Sequence, residues 1–392
     1  MNRLDRLRAA LAALDRDHLR RIRRDIETPC SPHVVIDGKK YLAFCSNDYL
    51  GLAGDPRLAE ALAAGARRWG AGAGGSHLVS GHYTVQSELE QRLAAFAGRE
   101  RALVFPAGYM ANSGIVPALA GRGDAIFADR LNHASLIDGM LLSRADAQRY
   151  PHLDLVALER LLAASAAPNK LIVSDAVFSM DGDLAPLRKL MSLAERFDAW
   201  LLIDDAHGFG VLGPQGRGAL AEAGLPAASS ESWRLIQVGT LSKAAGLAGA
   251  FVAGASEVVE WLMQKTRTYI FTTGSPPALA QTLLASIDLI EMGDERRERL
   301  AALGARLASG LAQKRWKLLP SRTPIQPLIV GDNATALALA AALMDEGLWV
   351  PAIRPPTVPA GSARLRISLS AAHTLDDADR LIEAINRLED TF

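Results

Sequence analysis

Lys243 sits in a loop of small residues, Thr240-Leu-Ser242-Lys243-Ala-Ala-Gly246, directly after the apolar run RLIQVG (234–239). A lone lysine is a surface charge in most settings, but a solvated charge seldom follows a buried strand this closely. Other apolar runs end on comparably useful groups. WLLID (200–204) ends on Asp204, with His207 three residues on. DAIFA (124–128) leads into DRLNHAS and His133, and KLIVS (170–174) leads into DAVFSMDGD and Ser179. RALVF (101–105) leads into PAGYMANSG, where Gly108 turns into a helix whose first backbone N–H groups suit an anion.

Each feature alone has a plainer reading. Gly108 serves equally as a turn glycine, and His133 as a hydrogen-bonded loop histidine. Asp204, Asp205 and His207 could hold a metal, but three ligands within four residues lack a usual zinc spacing. The combination says more than its parts. Pyridoxal phosphate chemistry needs a lysine to join the cofactor aldehyde, a carboxylate for the pyridine nitrogen, and N–H and O–H donors for phosphate.

These groups act together only if the fold gathers them. Between about residues 55 and 285, short continuous apolar runs alternate with helical patterns such as 185–197, with Leu187, Leu190, Met191 and Leu193. That alternation predicts a mainly parallel sheet covered on both faces, and ligands of such sheets bind at the carboxyl ends of the strands. Residues 278–315 read as helix-rich. PIQPLIVGD (324–332), a helix at 334–346, LWVPAIRPP (348–356), ARLRISLS (363–370) and a helix at 375–390 then make a smaller α+β domain. Leu4, Leu7, Leu11 and Leu14 predict an amphipathic helix over 3–26, ended by Pro29 and Pro32. Its run Arg20, Arg21, Arg23 and Arg24 reads as a solvated face or as an anion site. Residues 34–44 read as a hairpin turning at Asp37-Gly38. The expected organisation is an N-terminal segment 1–45, a large domain 46–285 and a small C-terminal domain 286–392.

Composition narrows the function classes. The 392 residues carry 43 Lys plus Arg against 43 Asp plus Glu, without the basic excess of a dedicated nucleic-acid or polybasic membrane binder. Two cysteines, Cys30 and Cys45, are too few for a disulfide framework or a cysteine-built zinc site. No run of 18 apolar residues is present, and Asp5, Asp15 and Asp17 break any signal-peptide core, so a soluble cytoplasmic protein is expected. GAGAGGS (70–76) follows a helix pattern rather than a strand, which disfavours a nicotinamide dehydrogenase.

SNDYLGL (46–52), GAGGSHLVSGH (72–82), the segment 174–183, DDAHGFGVLGPQGRG (204–218) and GTLSKAAG (239–246) carry a resemblance along almost the whole chain. The sequence resembles the α-oxoamine synthase family of fold-type-I pyridoxal phosphate enzymes. GSHLVSGHYT departs from the family's commoner arginine- or glycine-containing versions after Ser76.

The resemblance implies a large domain with a mainly parallel seven-stranded sheet, a smaller α+β domain, and pyridoxal 5'-phosphate as cofactor. It gives Lys243 as cofactor anchor and base, Asp204 on the pyridine nitrogen, His207 on the phenolic oxygen and His133 on the ring face. Gly108, Tyr109, Ser179 and Thr240 join the cofactor contacts. Asn47 and Arg366 would hold the amino-acid carboxylate; the plainer reading of Arg366 is a strand-surface charge, with Arg364 on the same face. Arg21 and Thr357 match acyl-substrate positions, as His133 matches a substrate position. Thr272 and Thr273 in FTTGSPPA (271–278) match a stretch that reaches the neighbouring subunit's phosphate, which implies a homodimer. AIRPPTVPAGSARLRIS (352–368) most resembles members that join L-alanine to a pimeloyl thioester, pimeloyl-CoA or pimeloyl-acyl carrier protein, in biotin synthesis. The alternatives are a glycine C-acetyltransferase of the same family and a non-catalytic α/β protein that binds a phosphorylated metabolite.

Overall fold

The computed structural model describes residues 2–17, 19–227 and 232–392. The chain opens with a helix, Arg3–Arg16, that is shorter than the predicted 3–26. Asn2 and Asp5 close a capping box at its start. Continued to residue 26, it would stack Arg20 on Arg23 and Arg24 at spacings where like charges repel. No buried face offsets that repulsion: the helix buries no residue, and Leu4, Leu7, Leu11 and Leu14 are all exposed. Residues 19–25 therefore run without regular structure, well before Pro29. The hairpin forms as expected from β1 (His33–Ile36) and β2 (Lys39–Ala43). Asp37 and Gly38 both take positive φ, 50° and 69°, as a mirror-image two-residue turn requires.

The central sheet has seven strands: β3 (Arg101–Phe105), β4 (Ala125–Asp129), β5 (Asp146–Tyr150), β6 (Lys170–Asp175), β7 (Trp200–Asp204), β8 (Leu235–Thr240) and β9 (Ala250–Gly254). Their order is β3-β9-β8-β7-β6-β4-β5, parallel from β8 to β5, with β9 antiparallel to both neighbours. The expected mainly parallel sheet is thus present. Side chains alternate between two cores, as the pleat demands. Phe127, Ile172, Leu201 and Ile203 enter the core shared with the C-terminal half. Ile126, Leu171, Val173 and Leu202 enter a second core with Ile115, Leu136 and Leu262 from covering helices. Burial on both faces explains the continuous apolar strands. β5 escapes that pattern: it is one of the two edge strands and, unlike the buried β3 at the other edge, its sequence DAQRY is mostly exposed.

The C-terminal region adds β10 (Lys317–Leu318), β11 (Ile325–Gly331), β12 (Leu348–Trp349), β13 (Ala352–Ile353) and β14 (Ala363–Ser368). β10-β11-β14-β13 form an antiparallel sheet, while β12 adds in parallel to β2, tying the N-terminal hairpin to this region. Position 285 falls inside the helix Pro277–Glu291, which packs on the helices Pro56–Trp69 and Thr84–Ala97. Among the described residues no helix is long and apolar enough to cross a membrane.

Candidate active site

The carboxyl ends of the parallel strands meet the predicted constellation. β6 ends on Asp175 and β7 on Asp204, side by side in register. β8 ends on Thr240, and Lys243 follows in a tight loop. Gly246 makes that loop possible: it takes φ +70°, and a Cβ there would lie 2.5 Å from the Ala53 backbone nitrogen. Between β3 and β4, the helix Gly108–Leu119 points its amino end at the same place. These elements enclose a cavity of about 270 Å³ whose wall includes Gly108, Tyr109, His133, Asp204, His207, Thr240 and Lys243. A larger hollow of about 620 Å³ lies beside Asp124, Asn169 and Trp200, at the amino ends of the strands, and gathers no comparable set of groups.

Lys243 Nζ lies 2.9 Å from His207 Nε2. On the other side of that ring, Nδ1 is 2.7 Å from the Tyr49 hydroxyl. Tyr49 donates to Asn47 Oδ1 at 3.2 Å, and the same oxygen accepts from Arg366 Nη1 at 3.3 Å. A continuous polar chain therefore runs from Arg366 on β14 to Lys243 after β8. Burial lowers the Lys243 amine to about 8, helped by the Arg366 charge and opposed by Asp204 and Asp175. Burial holds His207 well below the usual histidine range, reinforced by the charges of Lys243, Arg366 and His133, so its ring is neutral. His133 is also lowered, chiefly by burial, with Lys243 adding to the effect and Asp204 opposing it. Asp175 is pushed well above the usual carboxylate range by burial and by the adjacent Asp204.

The donors fit pyridoxal phosphate. Ala107 precedes the helix Gly108–Leu119 and offers no side-chain cap, which leaves the first-turn N–H groups for an anion. Thr240 Oγ1 and Ser242 Oγ stand 2.8 Å apart at the same wall. Deeper in, Asn112 Nδ2 donates to Asp204 Oδ2 at 2.5 Å, while the buried Asn112 Oδ1 lacks a hydrogen-bond partner among the described residues.

The family model for class I and II aminotransferases matches residues 39–385. An 8-amino-7-oxononanoate synthase of Aromatoleum aromaticum is 71% identical over 386 residues, covering 98% of this chain and 99% of that protein. Among solved structures, a serine palmitoyltransferase of Sphingomonas wittichii superposes with a TM-score of 0.92 at 33% identity, covering 100% of this chain and 98% of its own. An 8-amino-7-oxononanoate synthase of Francisella tularensis gives 0.77 at 30% identity, over 90% of this chain and 98% of its own. The chain belongs to the class I and II aminotransferase family.

The expected fold-type-I transferase architecture is borne out by these likenesses. Of the residues singled out in the sequence, this class I and II aminotransferase chain brings Lys243, Asp204, His207, His133, Gly108, Tyr109 and Thr240 to one cavity. Tyr109 is half exposed, with its hydroxyl on Asp138. Arg366 is buried, so the strand-surface reading fails for it. Its Nε donates to the Ser179 carbonyl at 2.6 Å and its Nη1 to Ser368 Oγ at 2.6 Å. Arg364 is buried as well, against Asp181 at 2.6 Å. Ser179 thus contributes its carbonyl to Arg366, while its hydroxyl is not at the cavity wall. Arg21 and Thr357 are exposed and lie off that wall. Thr272 and Thr273 also lie off it; Thr273 bridges to Ser76.

Tyr49, Asn112, Ser135, Asp175 and Ser242 reach the site without having been singled out. Asp175 had a signal, since it ends a strand as Asp204 does, and Asn112 follows Gly108 by one helical turn. Tyr49 lay inside SNDYLGL, but no spacing rule distinguishes it from its neighbours.

Proposed function

We propose that this chain joins L-alanine to a pimeloyl thioester, with loss of carbon dioxide and release of the thiol, giving 8-amino-7-oxononanoate for biotin synthesis. The cofactor is pyridoxal 5'-phosphate. The observation that carries this reading is Lys243, an amine lowered to about 8 in a cavity shared with Asp204, His207 and an uncapped helix end.

Bound there, the cofactor supplies an electron sink for charge developing at the alanine α-carbon. The Gly108 and Tyr109 end of the helix, with Thr240 and Ser242, holds its phosphate. Asp204 keeps a proton on the pyridine nitrogen, because a carboxylate favours the charged ring. His207 would meet the phenolic oxygen and His133 the ring face. Near neutral pH an amine with a pKa of about 8 is partly uncharged, so Lys243 can take the alanine α-proton and later return one. Arg366, set by Ser179 and Ser368 and joined to Asn47, holds the alanine carboxylate. Arg21 and Thr357 contact the acyl group, carried on CoA or on an acyl carrier protein.

The working unit in this reading is a cytoplasmic homodimer in which Thr272 and Thr273 reach the partner's phosphate. Two features support it: both threonines lie off their own cavity, and the leucine stripe of Arg3–Arg16 is exposed, with no cover among the described residues of one chain. Competition among acetyl, succinyl, palmitoyl and pimeloyl thioesters at fixed alanine tests the substrate. Pimeloyl donors should show the highest kcat/KM; a win for acetyl or palmitoyl would place the chain with a different condensing enzyme of this kind.

A further inference from the structure

Tyr49 is fully buried, and its hydroxyl lies between the acceptor Asn47 Oδ1 at 3.2 Å and His207 Nδ1 at 2.7 Å, which accepts or donates according to the ring tautomer. A phenol carries one proton and can give it to only one of them at a time. A neutral imidazole likewise carries one ring proton, on the nitrogen its neighbours select. The far nitrogen, Nε2, meets Lys243 Nζ at 2.9 Å. When Lys243 is an ammonium it can only donate, so Nε2 must accept and the ring proton belongs on Nδ1, where it is given to the Tyr49 oxygen. Tyr49 then donates to Asn47. When Lys243 has lost its charge, Nε2 is free to carry the proton, Nδ1 becomes an acceptor, and the Tyr49 hydroxyl satisfies it at the shorter distance.

We propose that Tyr49 is a positioning residue that turns its hydroxyl between Asn47 and His207, so that His207 Nε2 changes from acceptor to donor as Lys243 loses its charge. The protons balance: the Lys243 Nζ–H bond and the His207 Nδ1–H bond break, an Nε2–H bond forms, and one proton leaves to solvent. The charged and titratable groups around the pair are Asp175 on β6, Asp204 on β7, His133 before the helix Ala134–Ser143, and Arg366 on β14. Burial raises the Tyr49 phenol above its usual range, so it keeps the proton it turns. The functional consequence rests on the reaction proposed above, because an Nε2 donor is what the phenolic oxygen of the bound cofactor requires.

The test reads the ring rather than turnover, so it can fail or succeed independently of the substrate assignment. Ring-15N-labelled histidine in the full chain, without added cofactor, reports which nitrogen carries the proton. His207 is picked out from the eight histidines by the signals lost in His207→Asn. As pH rises through the Lys243 transition near 8, the His207 proton should move from Nδ1 to Nε2. Tyr49→Phe strips Nδ1 of its partner in both tautomers, so the exchange should move away from the Lys243 midpoint while Lys243 still titrates. In the loaded enzyme the same variant should lower kcat by ~5- to 10-fold, the worth of about one hydrogen bond, with KM for alanine little changed. A wild-type ring that keeps one tautomer across the transition overturns the proposal, as does a Tyr49→Phe ring that exchanges like the wild type. The wild-type titration decides the matter even if the variant does not fold.

Discussion

Replacing Arg366 by alanine should leave two separate marks. Arg366 is 6% exposed, and its guanidinium is fixed by Ser179, Ser368 and Asn47 and also bears on the Tyr49 phenol. In the proposed reading this guanidinium receives the alanine carboxylate, and a charge-assisted hydrogen bond of that kind is worth about 1.5–3 kcal/mol. Alanine affinity should therefore fall roughly 10- to 100-fold. The second mark follows from charge. Arg366 helps hold the Lys243 amine down to about 8, so removing it should move Lys243 upward, towards its ordinary value. Arg366→Lys keeps the charge but cannot reproduce a planar fork on three acceptors, so it should lose alanine affinity and leave the Lys243 midpoint nearly in place. Alanine titration of the loaded enzyme reads the first mark. The pH dependence of Lys243 labelling by an amine-reactive reagent in cofactor-free protein reads the second, with melting temperatures to confirm folding. An alanine affinity within twofold of wild type in Arg366→Ala would refute the carboxylate role; an unmoved Lys243 midpoint would refute the electrostatic link.

Lys243→Ala should lose at least ~10³-fold in turnover with the fold intact, because in the proposed reaction one amine is both cofactor anchor and base. Borohydride reduction of the wild type followed by peptide mapping should label Lys243, and a label on another lysine would remove the assignment. Asp204→Asn should retain cofactor yet turn over very slowly, since an amide cannot hold the ring proton as a carboxylate does; unchanged turnover at full cofactor content would count against it. His152 should make stability depend on pH. Burial pulls its pKa down, but hydrogen bonds to Asp129 and Asp183 overcome this and raise it from 6.5 to about 10. A raised folded-state pKa adds stability that is full below pH 6.5 and is lost as pH climbs towards 10. Urea melts across that range should fall in the wild type and flatten in His152→Gln.

The sequence carried the sheet because both of its faces are buried, so β4, β6, β7 and β8 read as unbroken apolar runs. It also carried the strand-end residues, since a parallel sheet must bring the ends of neighbouring strands together. Three things lay beyond that logic. The edge strand β5 is too polar to signal itself. The leucine spacing of the first helix was real, but the arginines after Leu14 ended it where no core could hold them. The burial of Arg364 and Arg366 depended on contacts with residues 179–181, far away in the chain, which no local pattern encodes.

Segment 47–49 explains why the site needs its small C-terminal region at all. Arg366 belongs to β14 and Lys243 to the loop after β8, and neither hydrogen-bonds the other. Asn47 takes a hydrogen bond from Arg366, and Tyr49 next to it meets His207, which meets Lys243. Further hydrogen bonds hold this segment against the small region: Ser370 Oγ donates to the Asp48 carbonyl at 2.6 Å, and Ala371 N donates to the Tyr49 carbonyl at 2.7 Å. On the other side, Gly246 lets the lysine loop close on Ala53. A substrate carboxylate engaging Arg366 would compete for the donor that Asn47 now receives, and Asn47 would then be freer to accept from Tyr49. If Arg366 holds the substrate carboxylate as proposed, the side chains of Arg366, Asn47 and Tyr49 link that site to the imidazole beside Lys243. The same contacts set Arg366 of the small antiparallel sheet and Lys243 of the central sheet at the two ends of one polar chain, with SNDYLGL as the physical link between them.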